Sequence, residues 1–396
     1  MKAIATTVIT ASSSRILVRT GNFQAYLKKC LLVHSIYIPL FFINKCLLRP
    51  EREPETFLLG RLTSTINRST DDIVTESVIF TLLSERKLGP KLHGVFSGGR
   101  IEEYIPGRPL ATDELSVPYF SLKIAEKMAA IHGMDVPLSK EPNWIWKTMN
   151  NWVITTKERL SMLKFLKSLN YENEIKWVNK YVSNAKSPVV FCHNDMQEGN
   201  ILLLEDDANA ADDTLQTDIN EVSNTSENNS EFDESQNNTN VVTTSPTDDE
   251  EPKLVLIDFE YCAYNYRGFD LANHFQEWMY NYTNPEFPFY YECTESYPTR
   301  EQKDLFIRQY LKHAQGTFSI EDVNQLHDEV NAFAIVSHLF WGLWSIVNAS
   351  KSQIPFGYWE YACSRLKIYV TLKTEVMKSM RGKLAKRKII KDKRTC

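Results

Sequence analysis

The sequence predicts an α+β chain, helical over most of its C-terminal half, organised either as two lobes or as two small domains. Three observations predict it. Apolar residues recur at helical spacing over most of the C-terminal half. Short apolar runs bounded by turn residues, at 92–105, Val189–Cys192, Ile201–Leu204 and 254–257, read as strands. A chain of 396 residues, 43% apolar and 12% aromatic, is ample for a core of that size.

The elements follow in order. Residues 1–23 are rich in Ser and Thr, carry Lys and Arg and lack acids, as transit peptides do. Residues 31–48 are mostly apolar but interrupted by His34, Pro39, Asn44 and Lys45, which makes a poor membrane span. The plain alternative is that residues 1–50 form no native element. Ile73, Val78, Ile79, Leu82 and Leu83 mark a helix over 72–87, stopped by Gly89-Pro90. Residues 92–105 make two strands around Ser97-Gly98-Gly99. Helices are expected at 122–132, ended by Gly133, at 144–169 and at 171–184. After the strand Val189–Cys192, the arms Ile201–Leu204 and 254–257 form one hairpin. Helices then cover 268–282, 299–315, 321–350 and 358–378.

Charge is distributed unevenly. Residues 205–251 hold 15 acids and no Lys, Arg or His, with almost no aromatics. Such a segment buries too little apolar surface to order itself, and reads as a disordered insertion at the hairpin tip. The first 50 residues hold seven Lys/Arg and no acid, and the last 24 hold ten Lys/Arg and two acids. The remaining core is acidic, which suits a small cationic substrate and argues against nucleic acid, whose binding needs a basic face. Seven scattered cysteines without a C-x-x-C pair fit thiols in a reducing compartment.

The chemistry sits in His193-Asn194-Asp195-Met196-Gln197-Glu198-Gly199-Asn200. Phosphoryl transfer to an alcohol needs a carboxylate to accept the hydroxyl proton, ligands for Mg²⁺, and fixed phosphates. The spacing from Asp195 to Asn200 equals that of the protein-kinase catalytic loop, D-x-x-x-x-N. Asp258-Phe259 follows a buried strand, as the kinase metal-binding Asp-Phe does. Two loop acids that merely form turns are the bland alternative, but loop, flanking strands and strand-Asp-Phe together weigh against it.

The segments VVFCHNDMQEGNILLL (189–204) and LVLIDFEYCAYNYRGFDLANHFQEW (254–278) resemble the two signature segments of the choline/ethanolamine kinase family. So do Glu76-Ser77-Val78-Ile79-Phe80, residues 84–90, Glu103-Tyr104-Ile105-Pro106 and Trp341-Gly342-Leu343-Trp344-Ser345-Ile346. The likeness covers about residues 70–370 apart from the insertion. It implies a two-lobed protein-kinase-like fold and ATP-dependent phosphorylation of choline, or ethanolamine, to phosphocholine, the first step of phosphatidylcholine synthesis by the CDP-choline route. Gln197-Glu198-Gly199 resembles the choline branch. The resemblance also implies ATP and Mg²⁺, a cytoplasmic enzyme, and a homodimer or a heterodimer with a related kinase, without nucleic-acid or membrane contact. By it, Asp195 is the catalytic base, Gln197 lies beside the transferred phosphate, and Asn200 and Asp258 hold Mg²⁺. Glu76 pairs with a basic residue at the phosphates, and Glu103, Tyr104 and Ile105 form the hinge that holds adenine through the backbone.

A quaternary ammonium donates no hydrogen bond, so its site needs aromatic faces and a negative field. Trp341 and Trp344 lie three apart on one helix side, as do Tyr358 and Tyr361. Aromatic stripes are more often core than cage. The family resemblance shifts that balance for Tyr261, Glu277, Tyr282, Trp341, Trp344, Phe356 and Tyr361, and leaves Tyr358 as core. Arg267 and Asp270 either shape the site or make a structural ion pair. His193 orients the loop, with no second ligand at a metal spacing. His274 and His338 read as satisfied helix histidines.

The small lobe departs from the family pattern and reads as incomplete. No glycine- and serine-containing phosphate loop precedes Glu76. Phe57-Leu58-Leu59-Gly60-Arg61 looks like a damaged copy of the strand that carries the basic residue, with Gly60 at its place and Arg61 one position late. A one-residue slip turns a strand side chain to the opposite face. The layout is therefore an atypical segment at 1–50, a partial small lobe at 51–108, a large lobe at 109–372 interrupted by the insertion at 205–251, and a basic tail at 373–396. A second reading is an inactive or weakly active isoform that binds a full-length kinase subunit.

Overall fold

The computed structural model describes residues 16–18, 45–48, 58–62, 70–96, 99–156, 166, 168–204 and 252–394. The acidic insertion and most of residues 1–50 lie outside them, as do the expectations of disorder, targeting and a membrane span placed there.

The small lobe is a sheet of five strands: β1 (Ile16–Val18), β2 (Lys45–Leu48), β3 (Leu58–Leu62), β4 (Leu92–Phe96) and β5 (Gly99–Glu103). Their order is β1-β2-β3-β5-β4. β1 runs parallel to β2, and the other neighbours are antiparallel. The reading that residues 1–50 form no native element therefore fails for β1 and β2. The physical reason is that β3 would otherwise present a row of unpaired N–H and C=O groups along its outer edge. β4 and β5 form the expected antiparallel pair, with a register shift between Leu92 and Gly94.

Helix α1 (Thr70–Glu85) buries Ile79, Phe80 and Leu83, one face of its 3.6-residue period. Gly89, after its end, lies so close to Phe259 that a Cβ would stand 2.6 Å from the ring. Phe259 in turn meets Phe80 edge-on at 5.6 Å and His193 at 5.2 Å. This aromatic column ties the small-lobe helix to both sequence motifs.

In the large lobe, α2 (Pro118–His132) begins four residues before the expected start, because Pro118 fits a first turn where its missing N–H costs nothing. Gly133 ends it as expected. α3 (Asn143–Thr156) and α4 (Tyr171–Val182) follow, the latter capped by the Asn170 side chain, which accepts the Asn173 N–H at 3.1 Å. Residues 157–165, expected to prolong α3, lie outside the described residues.

Strand β7 (Val189–Cys192) pairs with β10 (Ala263–Tyr266), which the sequence reading missed. β8 (Ile201–Leu204) and β9 (Leu254–Leu256) form the expected antiparallel hairpin, joined by β6 (Gly107–Pro109). α5 (Arg267–Glu277) stops at Glu277 instead of continuing to 282. Tyr280-Asn281 forms β11 and pairs with β12 (Tyr291-Glu292). A tyrosine suits a pleated ladder at least as well as a helix, and the pairing across ten residues leaves no local trace.

α6 (Arg300–Gln315) and α7 (Ile320–Asn348) both start with reciprocal capping boxes, Thr299/Gln302 and Ser319/Asp322. α8 (Tyr358–Arg394) runs unbroken through the start of the basic tail at Lys373. α7 packs against α5 and α8 and buries nearly all of its apolar stretch, with Phe333, Phe340, Leu343 and Ile346 inaccessible. It is the one helix among the described residues long and apolar enough to cross a membrane, and it serves here as the core helix.

α5 reaches α7 through Gly268. A Cβ there would stand 2.7 Å from the Phe333 ring and 3.0 Å from Glu329 Cβ. Gly268→Ala is expected to destabilise the chain by about 1–3 kcal/mol through overpacking. A thermal melt checks this: a midpoint lower by several degrees is expected, and an unchanged one would show that α5 has room to move.

Candidate active site

The loop after β7 is held from behind by one carboxylate. Asp270 Oδ2 accepts the His193 N–H at 2.9 Å, and Oδ1 accepts the Asn194 N–H at 2.8 Å. His132 Nε2 also meets Oδ2, at 3.0 Å, and its Nδ1 meets the Tyr310 hydroxyl at 2.8 Å. Burial alone would raise the Asp270 pKa, but His132 and the loop amides outweigh it and hold the carboxyl below its usual range. His132, Asp270 and Cys192 lie close enough to suggest a metal cluster. His132 and Asp270 are already committed to this hydrogen-bond knot, which reads as structural. Arg267 pairs with Glu329 instead, at 2.6 Å, and Ser187 Oγ donates to the same carboxylate at 2.8 Å.

This anchoring lets Asn194 adopt a left-handed backbone (φ 66°), a conformation asparagine tolerates better than most residues. Its side chain donates to the Tyr261 carbonyl at 2.9 Å and accepts from Asn265 at 2.8 Å. Asp195 is thereby turned toward Asn200, whose Nδ2 donates to Asp195 Oδ2 at 3.0 Å and to its carbonyl at 2.8 Å. That leaves the amide oxygen of Asn200, the end able to ligate a cation. Gln197 caps the following turn, its Oε1 accepting the Gly199 N–H at 3.1 Å.

The second acid converges on the same point. The Ile257 N–H donates to the Asn200 carbonyl at 3.0 Å, and His193 Nε2 meets the Ile257 carbonyl at 3.1 Å. Asp258 therefore leaves β9 beside Asn200, in a left-handed conformation (φ 67°, ψ 59°). His193 Nδ1 accepts the Asp195 N–H at 3.3 Å, so the proton belongs on Nε2 and the ring is neutral, in keeping with the lowering of its pKa by burial. Burial first, then Glu277, Asp258 and Glu260, push the Asp195 pKa well above the usual carboxylate range. Acids crowded in this way, with an amide oxygen among them, make a hard oxygen donor set suited to Mg²⁺.

The aromatic candidates assemble next to these acids. Trp344 Nε1 donates to the Tyr261 hydroxyl at 3.0 Å. Tyr261 and Trp341 meet edge-on at 5.7 Å, as do Trp341 and Trp344 at 5.5 Å. Tyr282, Phe356 and Tyr361 form a second group with centroids 5.6 to 6.2 Å apart. Tyr358, read as core, joins the two groups by touching Trp344 and Phe356, at 5.8 and 5.0 Å. Glu277 accepts the Tyr282 hydroxyl at 2.7 Å and is the largest charge influence on Asp195 after burial.

A cleft of about 700 Å³ opens beside the end of α1, lined among others by Ser84, Lys87, Glu103, Ile105, Leu204 and Val255. Glu103, Tyr104 and Ile105 make the crossing between β5 and β6 at its edge. The Glu103 N–H donates to the Lys91 carbonyl at 2.8 Å. Glu76 on α1 pairs with Arg100 at 2.5 Å, and Arg100 also holds Glu102 at 2.9 Å and lies 3.4 Å over the Phe80 ring. Arg61 occupies the β3 rung opposite Arg100.

Sequence reasoning missed Arg100, Asn273 and Arg365, and singled out Asp270 without identifying the loop amides it holds. Asn273 Oδ1 accepts Trp341 Nε1 at 2.6 Å and Ser337 Oγ at 2.8 Å, and so aims the tryptophan. A signal existed for Arg365: one arginine within the face of Ala362, Leu366 and Tyr369, all buried. His274 is satisfied as expected, by the Met196 carbonyl and Trp278, and burial lowers its pKa to about 4. His338 departs from expectation: neither ring nitrogen finds a hydrogen-bond partner among the described residues, and burial holds the ring neutral.

Residues 43–370 match the family model for choline/ethanolamine kinase. A human choline/ethanolamine kinase is 42% identical over 334 residues, 82% of this chain and 74% of that protein. Choline kinase A2 of Caenorhabditis elegans is 38% identical over 341 residues, 82% of this chain and 72% of that protein. Among solved structures, a choline kinase from Cryptosporidium parvum superposes with a TM-score of 0.61 at 26% identity, covering 82% of this chain and 83% of its own.

Proposed function

The chain belongs to the choline/ethanolamine kinase family, and from that premise we propose that it transfers the γ-phosphate of ATP to the hydroxyl of choline, with ethanolamine as a second substrate. The observation that carries this reading is the convergence of Asp195, Asn200 and Asp258 beside an aromatic cage around Glu277.

Asp195 accepts the hydroxyl proton as the choline oxygen bonds to the γ-phosphorus and the bond to the β-bridging oxygen breaks, leaving ADP. Its pKa, raised first by burial and then by the neighbouring acids, suits it to hold that proton. Asn200 and Asp258 would hold Mg²⁺, which when bound neutralises charge on the phosphates. Gln197 keeps the turn between Asp195 and Asn200 in register. Glu103, Tyr104 and Ile105 border adenine, and the Glu76–Arg100 pair takes the small-lobe ion-pair role expected of Glu76 with a basic residue at the phosphates. The cage of Tyr261, Tyr282, Trp341, Trp344, Phe356 and Tyr361 gives the trimethylammonium its faces, and Glu277 supplies the field.

The complete acid set leaves the inactive-isoform reading without support. The layout of lobes, insertion and tail set out from the sequence is carried forward as part of this reading. A cytoplasmic enzyme supplying phospholipid synthesis, working as a dimer, accords with it. Cys192, Cys262, Cys293 and Cys363 are free thiols, as a reducing compartment would keep them.

Trp344→Ala tests the cage. Loss of one aromatic face at a desolvated cation is worth about 2 kcal/mol, or roughly thirtyfold. The KM for choline is expected to rise by about that factor while the KM for ATP stays nearly constant. Steady-state kinetics with each substrate varied in turn decide it; an equal rise in both would refute the cage.

A further inference from the structure

We propose that Arg365, buried behind the cage on α8, is a positioning residue that makes the site prefer a quaternary to a primary ammonium; this rests on the reading of the cage as the amino-alcohol site.

Arg365 is fully buried. Its guanidinium lies 4.0 Å over the Tyr280 ring and 4.9 Å over that of Tyr361. Nη2 donates to Glu277 Oε1 and, at 2.5 Å, to the Tyr361 hydroxyl, which also accepts Nε at 2.9 Å. Arginine has five donors and no acceptor, so it fixes the direction of every hydrogen bond beyond it. The Tyr361 oxygen accepts from Arg365 and gives its own proton to Tyr282, 2.9 Å away. Tyr282 then gives its proton to Glu277 Oε2 at 2.7 Å.

The result is a carboxylate engaged at both oxygens and two phenols with their protons directed along the wall. A primary ammonium carries three N–H donors and needs acceptors to replace its water. In this wall each Glu277 oxygen already accepts one of these bonds and each phenol oxygen accepts at least one, which leaves few open acceptor sites for an incoming N–H. A quaternary ammonium carries no N–H and needs only ring faces and a diffuse field. A site whose acceptors are committed discriminates against the ligand that needs them, because unmet donors are costly once desolvated. Lysine could not substitute, since its compact ammonium lacks the planar fork that spans Glu277 and Tyr361 together.

The test measures kcat/KM for choline and for ethanolamine in the wild type, Arg365→Lys and Tyr282→Phe, with the KM for ATP as control. Both variants release acceptor capacity on Glu277. The choline-to-ethanolamine ratio of kcat/KM is expected to fall about tenfold, by one charge-assisted hydrogen bond regained, with the KM for ATP unchanged. Loss of activity on both amines by one common factor, the ratio intact in the folded variants, would overturn the inference and leave the proposed function standing. Should Arg365→Lys not fold, Tyr282→Phe decides alone, since it retains the ring and the buried ion pair. A folded wild type that phosphorylates neither amine would overturn both readings.

Discussion

Asp195→Asn is expected to lower kcat by about 10²–10⁴, the contribution of a positioned general base, while leaving both Michaelis constants and the melting temperature near their wild-type values. The expectation of an intact fold comes from the hydrogen bonds. An asparagine at 195 can still accept from Asn200 Nδ2 through its amide oxygen, and the backbone carbonyl at 195 accepts the same group as before. The loop itself hangs on Asp270, which binds the amides of His193 and Asn194 and not the side chain of 195. What the variant loses is the capacity to take a proton. It also loses one of the mutually repelling acids, so a small gain in stability would not surprise. A loss of less than tenfold would show that another group takes the proton, and Asp258 would be the next candidate.

Asp258→Asn is expected to cost about 10²–10³ in kcat/KM for ATP, the several kcal/mol that a metal-mediated charge clamp supplies. The Mg²⁺ concentration for half-maximal rate is expected to rise in parallel. Asparagine is the right replacement because Asp258 sits at φ 67° and ψ 59°, a region that Asn enters with little strain and most other residues do not. Alanine there would mix backbone strain with loss of the ligand. Titration of the rate with Mg²⁺ at saturating ATP reads the effect. An unchanged Mg²⁺ requirement in the folded variant would remove Asp258 from the metal site.

Much of the site was legible in the sequence because its groups are encoded locally. The Asp195-to-Asn200 spacing lies within one loop, Asp258 follows one strand, and Trp341 and Trp344 share one helical face. The β8–β9 hairpin was legible too, since its two apolar arms flank a segment unable to pack. The residues that aim these groups were not, because their partners lie far away in the chain. Asp270 was singled out, but not the loop about 76 positions earlier that it holds, and Arg365 meets Glu277 across 88 positions. No periodicity reports such a pair. The end of α5 was missed for a related reason: β11 is defined by its pairing with β12, and the aromatic residues around it satisfy a helix and a strand equally. In the small lobe, Glu76 finds Arg100 across 24 positions, on a strand whose sequence marks it only as half of a hairpin.

The most direct measurement is a crystal structure of the chain with Mg²⁺ and a non-hydrolysable ATP analogue. The expected result has the adenine beside Glu103 and Ile105, the metal ligated by Asp258 and the amide oxygen of Asn200, and the terminal phosphate facing the Asp195 carboxylate. A nucleotide bound elsewhere, or a phosphate-bound metal touching neither Asp258 nor Asn200, would contradict it.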